Sequence, residues 1–368
     1  MRYATLLLTT LLTACGGNGG GPTPDHNPHA PETTSLAPDS IGDGWTPSTP
    51  AAEGVDAAGL QAAFDAIHGD RYGDVDSMIV IRHGRLVAEG YFRGYARDTL
   101  HDLRSSGKSF TSALTGIAVD RGLLGVDDRI SDLVPFEGYA NLDDRKRAIT
   151  VRNLLNMQSG LECNDWFPGS AGNEERMYHT SDWVKFILDL PMAQQPGVSA
   201  AYCTGGVVVL GHVISRRAGT GLEAFADAHL FGPLAIHDVE WRRSPDGRAT
   251  GGGGLKLRPR DAAKLGQLYL SGGTWNGARV VPAAWVEESK RIVTHLGADD
   301  YGFLWWKRSF PHRTGDVASF FTSGNGGNFI FVVPALDLVV VFTGSNYDSP
   351  QGDAPFAIMA AWVVPSVS

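Results

Sequence analysis

Arg104-Ser105-Ser106-Gly107-Lys108-Ser109 opens a segment whose apolar residues then fall on one face of a helix: Phe110, Ala113, Leu114, Ile117 and Ala118. Ser105 and Lys108 are about one helical turn apart, so their side chains lie on the same face and their polar atoms can meet. A serine hydroxyl is a weak nucleophile until a base takes its proton, and a lysine can be that base only when neutral. Burial and the positive end of the helix macrodipole both disfavour an ammonium there. The pair therefore indicates nucleophilic catalysis, although the spacing alone also fits a solvated helix start.

The sequence does not contain the other common catalytic motifs that this segment could be mistaken for or that a hydrolase could use instead. Gly107-Lys108-Ser109 looks like the end of a phosphate-binding loop, but that loop needs a glycine where Asp102 stands. The chain contains no Gly-x-Ser-x-Gly nucleophile elbow. It also contains neither His-Glu-x-x-His nor Cys-x-x-Cys, so the sequence gives no support for a metal site.

The rest of the chain predicts strands at both ends and helices between them. Residues 77–82 and 85–91 are rich in β-formers and flank His83-Gly84, a tight-hairpin signal. Residues 328–333 and 338–343 flank Pro334-Ala335-Leu336-Asp337 and predict a second hairpin. Helical patterns follow the Ser105 segment and recur at 151–157, 183–190, 207–217, 260–270 and 355–363. We expect an α/β (α+β) fold: an antiparallel sheet built from N- and C-terminal strands, flanked by helices, with an inserted helical subdomain.

Composition excludes several classes of protein. The 368 residues are 43% hydrophobic and 19% charged, which is typical of a globular chain and not of a disordered one. Thirty-one basic against 40 acidic side chains give a net charge of −9. Nucleic-acid binding, which needs a basic face, is therefore disfavoured.

The N-terminus predicts export. Residues 1–14 combine a short positive start with an apolar run that is too short to span a bilayer, as in a cleaved signal peptide. Leu12-Thr13-Ala14-Cys15 resembles the lipobox of bacterial lipoproteins, so we expect a lipid on Cys15; the alternative is an ordinary signal peptide with an incidental cysteine. Residues 15–50 are rich in Gly, Pro, Thr and Ser and predict a flexible linker. The expected location is a bacterial membrane, with the protein facing the periplasm or the cell exterior.

Export also bears on the two remaining cysteines. In an oxidising compartment Cys163 and Cys203 are expected to form a disulfide, with two unpaired buried thiols as the alternative. On a loop-entropy model the bridge stabilises the fold by about 4 kcal/mol.

Four further segments occur in a fixed order around the serine–lysine pair. They are residues 152–161, the run Pro196 to Gly206 containing Tyr202-Cys203-Thr204, the segment Gly251–Leu255 with Arg260–Lys264, and Thr322-Ser323-Gly324-Asn325-Gly326-Gly327-Asn328. In this order and spacing they resemble the serine β-lactamase and penicillin-binding superfamily. The similarity is greatest to its class C-like branch, which includes family VIII carboxylesterases and 6-aminohexanoate-dimer hydrolases, and it extends over residues 50–365.

The resemblance implies roles for individual residues. Ser105 would be the acylated nucleophile, Lys108 its proton acceptor, and Tyr202 the phenol that relays the proton to the leaving group. The oxyanion would lie between the backbone N–H of Ser105 and one from Ser323-Gly324-Asn325, with Gly324 expected. From the residues alone, Tyr202 also fits a core tyrosine and the glycines a plain turn.

Two departures from the family pattern bear on substrate choice. Thr204 stands where β-lactamases usually have asparagine, and Phe321-Thr322-Ser323 stands where they have Lys-Thr-Gly. The missing lysine removes a charge-assisted contact to the carboxylate of penicillins and D-Ala-D-Ala peptides, unless His312 or Arg313 replaces the charge. A Glu-x-x-Leu-Asn segment like that of class A enzymes is also missing, so deacylation would use Tyr202 and Lys108.

The prediction is a lipid-anchored serine hydrolase whose domain spans residues 51–368, with a helical subdomain at roughly 105–245. It would cleave small-molecule esters or amides through an acyl-enzyme on Ser105, without a metal or organic cofactor. A β-lactamase or D,D-carboxypeptidase is the alternative among enzymes, and a penicillin-recognising sensor without turnover is the alternative of another class. The sequence leaves the oligomeric state open.

Overall fold

A computed structural model describes residues 31–368, so the predicted signal peptide and Cys15 lie outside the described residues. Its strands are β1 (Thr33–Ser35), β2 (Thr46–Pro47), β3 (Val75–Arg82), β4 (Arg85–Tyr91), β5 (His101–Asp102), β6 (Glu240–Trp241), β7 (Leu255–Leu257), β8 (Thr274–Trp275), β9 (Ala278–Arg279), β10 (Thr294–Leu296), β11 (Asp299–Gly302), β12 (Trp305–Phe310), β13 (Val317–Gly324), β14 (Asn328–Val333) and β15 (Leu338–Gly344).

The main sheet joins the two ends of the chain. Its order is β1-β4-β3-β15-β14-β13-β12-β11-β10, and every neighbouring pair in this order is antiparallel, with the short β2 added parallel to β4. The pairing of β3 with β15 brings residues 75–82 against residues 338–344. The predicted antiparallel sheet of N- and C-terminal strands is confirmed.

The α-helices are α1 (Ala57–His68), α2 (Gly107–Asp120), α3 (Ile130–Leu133), α4 (Asp144–Arg147), α5 (Val151–Leu155), α6 (Glu174–Tyr178), α7 (Trp183–Asp189), α8 (Thr204–Ala218), α9 (Leu222–Ala226), α10 (Pro259–Leu270), α11 (Ala283–Ser289), α12 (Ala354–Ile358) and α13 (Val364–Ser366). The helices from α2 to α9 all lie between β5 and β6, which is the predicted helical insertion. Across residues 31–368, no helix combines the length and the apolar character that a bilayer crossing needs.

The main sheet is covered on both faces. On one face Gly266 of α10 lies directly against Val339 and Ile330, where a Cβ on the glycine would approach their methyl groups to 2.5 and 2.8 Å. On the other face the ring of Phe356 in α12 packs against Phe329 and Phe331, with centroids 5.0 and 5.2 Å away. Alternate residues of β14 thus face opposite layers, as the pleat requires.

Buried ion pairs attach α10 to the edge of the sheet. Nε of Arg260 lies 2.7 Å from the Glu89 carboxylate on β4, and its Nη1 lies 3.0 Å from the carboxylate of Asp43. Lys264 pairs with Asp261 one helical turn earlier, at 2.8 Å. Removing one partner of such a pair leaves an uncompensated buried charge, which costs about 3–5 kcal/mol. The segment 260–264 therefore has a structural role.

The second half of the predicted linker is part of the fold. β1 pairs with β4, β2 pairs with its other end, and Trp45 between them is buried. The Trp45 indole N–H donates to the carbonyl of Arg260 at 3.0 Å, and its ring packs edge-on against Trp275. The expectation of a flexible segment reaching residue 50 is wrong for residues 33–47, because backbone pairing and one buried indole attach them to the sheet.

Candidate active site

Ser105 lies on a single 3₁₀ turn, Arg104–Ser106, that leads directly into α2. Lys108 is in the first turn of α2 and is only 2% exposed, whereas Ser105 is half-buried. Nζ of Lys108 lies 2.7 Å from Oγ of Ser105. The predicted pair of polar atoms therefore meets at the start of the helix, with the lysine withdrawn from solvent.

The turn that carries Ser105 is held in an unusual conformation. Arg104 adopts a φ of 51°, a left-handed value that non-glycine residues adopt mainly where the surroundings impose it. Its N–H donates to the Asp102 carboxylate at 2.8 Å, and the preceding Leu103 N–H donates to the carbonyl of Leu255 at 3.0 Å. Gly253 backs the turn so closely that a Cβ there would lie 3.1 Å from the Arg104 carbonyl oxygen. The glycine-rich segment 251–255 thus supports the nucleophile.

The end of β13 abuts the same turn. A Cβ on Gly324 would lie 2.3 Å from the carbonyl oxygen of Leu103 and 3.1 Å from the backbone nitrogen of Ser106. The Ser106 hydroxyl donates to the carbonyl of Asn328 at 2.6 Å and accepts from the Thr322 hydroxyl at 3.0 Å. Gly324, the expected oxyanion donor, is therefore next to the turn that carries Ser105.

The neighbours of Gly324 differ in what they offer. Ser323 is half-buried within the strand, and Asn325 is exposed at its end. The Asn325 amide donates to the Asp348 carboxylate at 2.9 Å and accepts from the backbone N–H of Asp348 at 3.0 Å. The Asn325 side chain is thus engaged by the loop after β15.

Tyr202 lies immediately before α8 and is 7% exposed. The centroid of its ring is 5.1 Å from Nζ of Lys108. Trp166 stacks parallel to this ring at 5.4 Å, with an interplanar angle of 4°, and Trp306 of β12 packs on it at 5.9 Å. The structure therefore brings Ser105, Lys108 and Tyr202 together and adds an aromatic cluster beside the phenol.

The loop that carries Trp166 is covalently joined to the tyrosine segment. Cys163 and Cys203 form the predicted disulfide, and both residues are buried. Asp165 lies between Cys163 and Trp166 in the same loop, and its backbone N–H donates to the carbonyl of Tyr202 at 2.8 Å. Its carboxylate accepts the backbone N–H groups of Thr204 at 2.6 Å and Glu174 at 2.9 Å, the first residues of α8 and α6.

Burial raises the pKa of the Asp165 carboxyl to about 6, and the nearby negative charge of Glu174 adds to the rise. The backbone N–H of Thr204 acts in the opposite direction, as does Lys108 when it is protonated. A carboxyl with this pKa changes charge within the pH range in which hydrolases are assayed.

The structure leaves the position of the missing family lysine uncharged. Phe321 turns into the core, with its ring 5.4 Å from that of Phe331 and 5.2 Å from that of Phe356. His312 and Arg313 precede β13, about 23 Å of strand away from Gly324. The Nε2 atom of His312 contacts the carbonyl of Val367 at 3.1 Å. The idea that His312 or Arg313 replaces the lysine charge is therefore wrong.

Three residues near the site were not singled out from the sequence: Arg104, Asp165 and Trp166. The guanidinium of Arg104, the residue before Ser105, lies 4.4 Å from the centroid of the Tyr347 ring. Its Nε lies 3.5 Å from the Asp102 carboxylate. A signal for Asp165 and Trp166 was available, because the Cys163–Cys203 bridge places the residues after Cys163 beside Tyr202.

Among the residues that the structure describes, no group of three or more His, Cys, Asp and Glu side chains is arranged to hold a metal ion.

A sheet flanked by helices, with a serine–lysine pair at the start of a central helix, defines a class of serine hydrolases. A family profile described as beta-lactamase matches residues 60–363, and the chain belongs to this family. It is 25% identical over 289 residues to 6-aminohexanoate-dimer hydrolase of Paenarthrobacter ureafaciens, covering 72% of this chain and 71% of that protein. It is 29% identical over 210 residues to esterase EstB of Burkholderia gladioli, covering 51% of this chain and 53% of the esterase.

Solved structures agree on the fold. The class C beta-lactamase from Rhodobacter sphaeroides superposes with a TM-score of 0.62 at 17% identity, over 82% of this chain and 99% of that one. The chain is thus a hydrolase of the beta-lactamase family.

Proposed function

We propose that this hydrolase cleaves small-molecule esters or amides through a covalent acyl-enzyme on Ser105. The observation that carries the proposal is the 2.7 Å distance between Ser105 Oγ and Lys108 Nζ, with the lysine buried. A neutral amine at that distance accepts the hydroxyl proton as the oxygen attacks.

In the acylation step, the Ser105 Oγ–H proton passes to Lys108 while Oγ forms a bond to the substrate carbonyl carbon. The resulting oxyanion is stabilised by backbone N–H donors of Ser105 and the end of β13, where Gly324 abuts the turn. The tetrahedral intermediate then collapses: the bond from carbon to the leaving oxygen or nitrogen breaks, and that atom takes the proton from Lys108 by way of the Tyr202 phenol.

Deacylation repeats these steps with water. A water molecule gives one proton to the Tyr202 and Lys108 side and bonds to the acyl carbon. The Ser105 ester bond breaks, Oγ regains its proton, and the acid product leaves. No other base is required in this scheme.

The surroundings of the site favour esters or amides without the carboxylate of a β-lactam. Phe321 offers no cation at the family lysine position and packs into the core. Trp166, which is 53% exposed, instead offers apolar surface next to Tyr202, and the following residue, Phe167, is 62% exposed. Burial of apolar substrate surface contributes about 25 cal/mol per Å². Substrates with an apolar acyl or alcohol group are therefore expected to turn over fastest.

The test uses protein that begins after Cys15, assayed on p-nitrophenyl esters of two chain lengths and on a chromogenic cephalosporin. Ser105→Ala should abolish ester turnover, while Ser215→Ala, on α8 with its hydroxyl bonded to the Gly211 carbonyl, should leave it unchanged. Full ester turnover by Ser105→Ala would reject the acyl-enzyme. Fast cephalosporin hydrolysis would favour a β-lactamase, and stoichiometric labelling by fluorescent penicillin without turnover would favour a sensor.

We also propose that the protein is exported and lipidated on Cys15. The proposal rests on the apolar run and the lipobox-like tetrapeptide. Palmitate-analogue labelling of cells should mark the wild-type chain and not Cys15→Ser, and equal labelling of both would reject it.

A further inference from the structure

Residues 163–166 contact residues 202–204 in four separate ways. A disulfide joins Cys163 to Cys203, and the Asp165 N–H donates to the Tyr202 carbonyl at 2.8 Å. The Asp165 carboxylate accepts the Thr204 N–H at 2.6 Å. The Trp166 ring covers the Tyr202 ring at 5.4 Å. Both the backbone carbonyl and the ring of Tyr202 are thus in contact with this short loop.

We propose that Asp165 is a positioning residue that holds the Tyr202 phenol in place for proton transfer, and that its ionised form is the active one. This inference rests on the proposed acyl-transfer function. Asp165 itself touches neither the substrate nor the reacting atoms; it acts through residues 202–204.

The helix start explains why an outside carboxylate is needed. The N-cap residue of α8 is Cys203, which provides no side-chain acceptor for the first N–H groups. Asp165 supplies that acceptor from the neighbouring loop at the Thr204 N–H. A carboxylate at a helix N-terminus is favoured both by the free N–H groups and by the helix dipole. Since Tyr202 is two residues before Thr204, fixing the helix start also fixes the backbone from which the phenol projects.

The charge of Asp165 matters because its hydrogen bonds become weaker when it is neutral. Hydrogen bonds to an ionised acceptor are roughly twice as strong as those between neutral groups. The titratable and charged groups that face Asp165 are Glu174 and Tyr178 on α6, Lys108 on α2 and Tyr202 before α8. Burial raises the pKa of the Asp165 carboxyl to about 6, the negative charge of Glu174 adds to the rise, and a protonated Lys108 opposes it. Protonation therefore weakens the hydrogen bond from the Thr204 N–H at the start of α8 in the range around pH 6.

A second consequence concerns Lys108. When the lysine takes the Ser105 proton it becomes positive, and the ionised Asp165 interacts favourably with that charge. Neutral Asp165 offers no such interaction. Positioning and charge thus act in the same direction, and the proton-transfer steps are expected to slow as Asp165 is protonated.

The experiment measures kcat and KM for a p-nitrophenyl ester from pH 4.5 to 9 in wild type, Asp165→Asn and Asp143→Asn. The matched control, Asp143, also accepts a backbone N–H at a helix start, that of Lys146 at 2.9 Å, but it caps α4. We expect Asp165→Asn to lower kcat at pH 8 by about 10- to 100-fold with little change in KM, because a small misplacement of a catalytic group costs up to about that much. The wild-type and Asp143→Asn enzymes should share an acid limb near pH 6 that includes the titration of Asp165. Asp165→Asn should lose that part of the limb and keep only the fall caused by protonation of the lysine base.

Folding of each variant is checked by thermal unfolding and by the absence of free thiols in the intact protein. If Asp165→Asn is folded, keeps the wild-type kcat and retains the limb near pH 6, Asp165 does not position Tyr202. A drop in kcat with an unchanged acid limb would reject the ionised form as the active one. Ester turnover that survives Ser105→Ala would instead reject the proposed function, so the two failures are distinguishable.

Discussion

Removal of the Cys163–Cys203 disulfide by the double substitution Cys163→Ala and Cys203→Ala tests how much this cross-link stabilises the site. The bridge closes a loop with a sequence separation of 40 residues. Loop-closure entropy for a loop of that length corresponds to about 4 kcal/mol at 25 °C. For a domain of this size, that loss lowers the Tm by about 6 °C.

The assay is urea unfolding at pH 7, followed by tryptophan fluorescence, with and without a thiol reductant. We expect the double variant to unfold at lower urea and to be insensitive to the reductant, and reduced wild type to approach the variant. The comparison with reduced wild type separates the loss of the cross-link from the small cavities left by two alanines.

Activity gives a second measurement on the same proteins. Because Cys203 follows Tyr202, we expect loss of the bridge to lower kcat more than it raises KM. A variant that matches oxidised wild type in both urea midpoint and kcat would refute the assigned contribution of the bridge.

Three further predictions concern single residues. The folded-state pKa of Asp165, about 6, lies above the ordinary 3.8, so its ionisation lowers wild-type stability as pH rises between these values, by about 3 kcal/mol in all. Asp165→Asn should lack this loss, so its stability relative to wild type should rise by about that much between pH 4 and pH 8. Chemical unfolding at the two pH values measures the difference, and the same difference at both would contradict it. Burial lowers the pKa of Lys307 to about 8. Between pH 8 and 10 the unfolded lysine still binds a proton and the folded one does not, so wild-type stability should rise over this range. The stability of Lys307→Met should lack this rise, and an identical dependence on pH in the two proteins would refute the assignment. Gly324→Ala should reduce kcat/KM at least about 100-fold, the scale expected when an oxyanion donor is lost. The new Cβ would lie 2.3 Å from the Leu103 carbonyl oxygen and would have to displace the turn that carries Ser105. Ester kinetics on folded protein check this, and wild-type turnover would argue against the placement of β13.

The parts of the fold that were predictable are those fixed by local chemistry. The first hairpin turns at His83 and Gly84, which have φ values of 51° and 70°. Two-residue hairpin turns of this kind need positive φ at both positions, and glycine adopts such values readily. The predicted hairpin of β14 and β15 also forms, joined by a 3₁₀ turn at Pro334–Leu336. Ser105 and Lys108 meet because a spacing of three residues at a helix start brings side chains onto one face.

The parts that were not predictable depend on residues far apart in the chain. Residues 33–47 were predicted to be a linker because they are rich in polar residues, glycine and proline. In the structure Trp45 contacts Arg260 and Trp275, which are more than two hundred residues away in the sequence. The predicted Cys163–Cys203 bridge placed Asp165 near Tyr202, but the hydrogen bonds from the backbone N–H groups of Thr204 and Glu174 to its carboxylate depend on the whole fold. Local patterns carry no information about such partners.

Mass spectrometry of the acyl-enzyme tests the central claim most directly. Wild type and Ser105→Ala are mixed with a p-nitrophenyl ester, quenched in acid within the first turnovers and digested. We expect at most one acyl group per wild-type molecule, located on the peptide that contains Ser105, and none on Ser105→Ala. An acyl group on another residue, or ester turnover by Ser105→Ala at the wild-type rate, would contradict it.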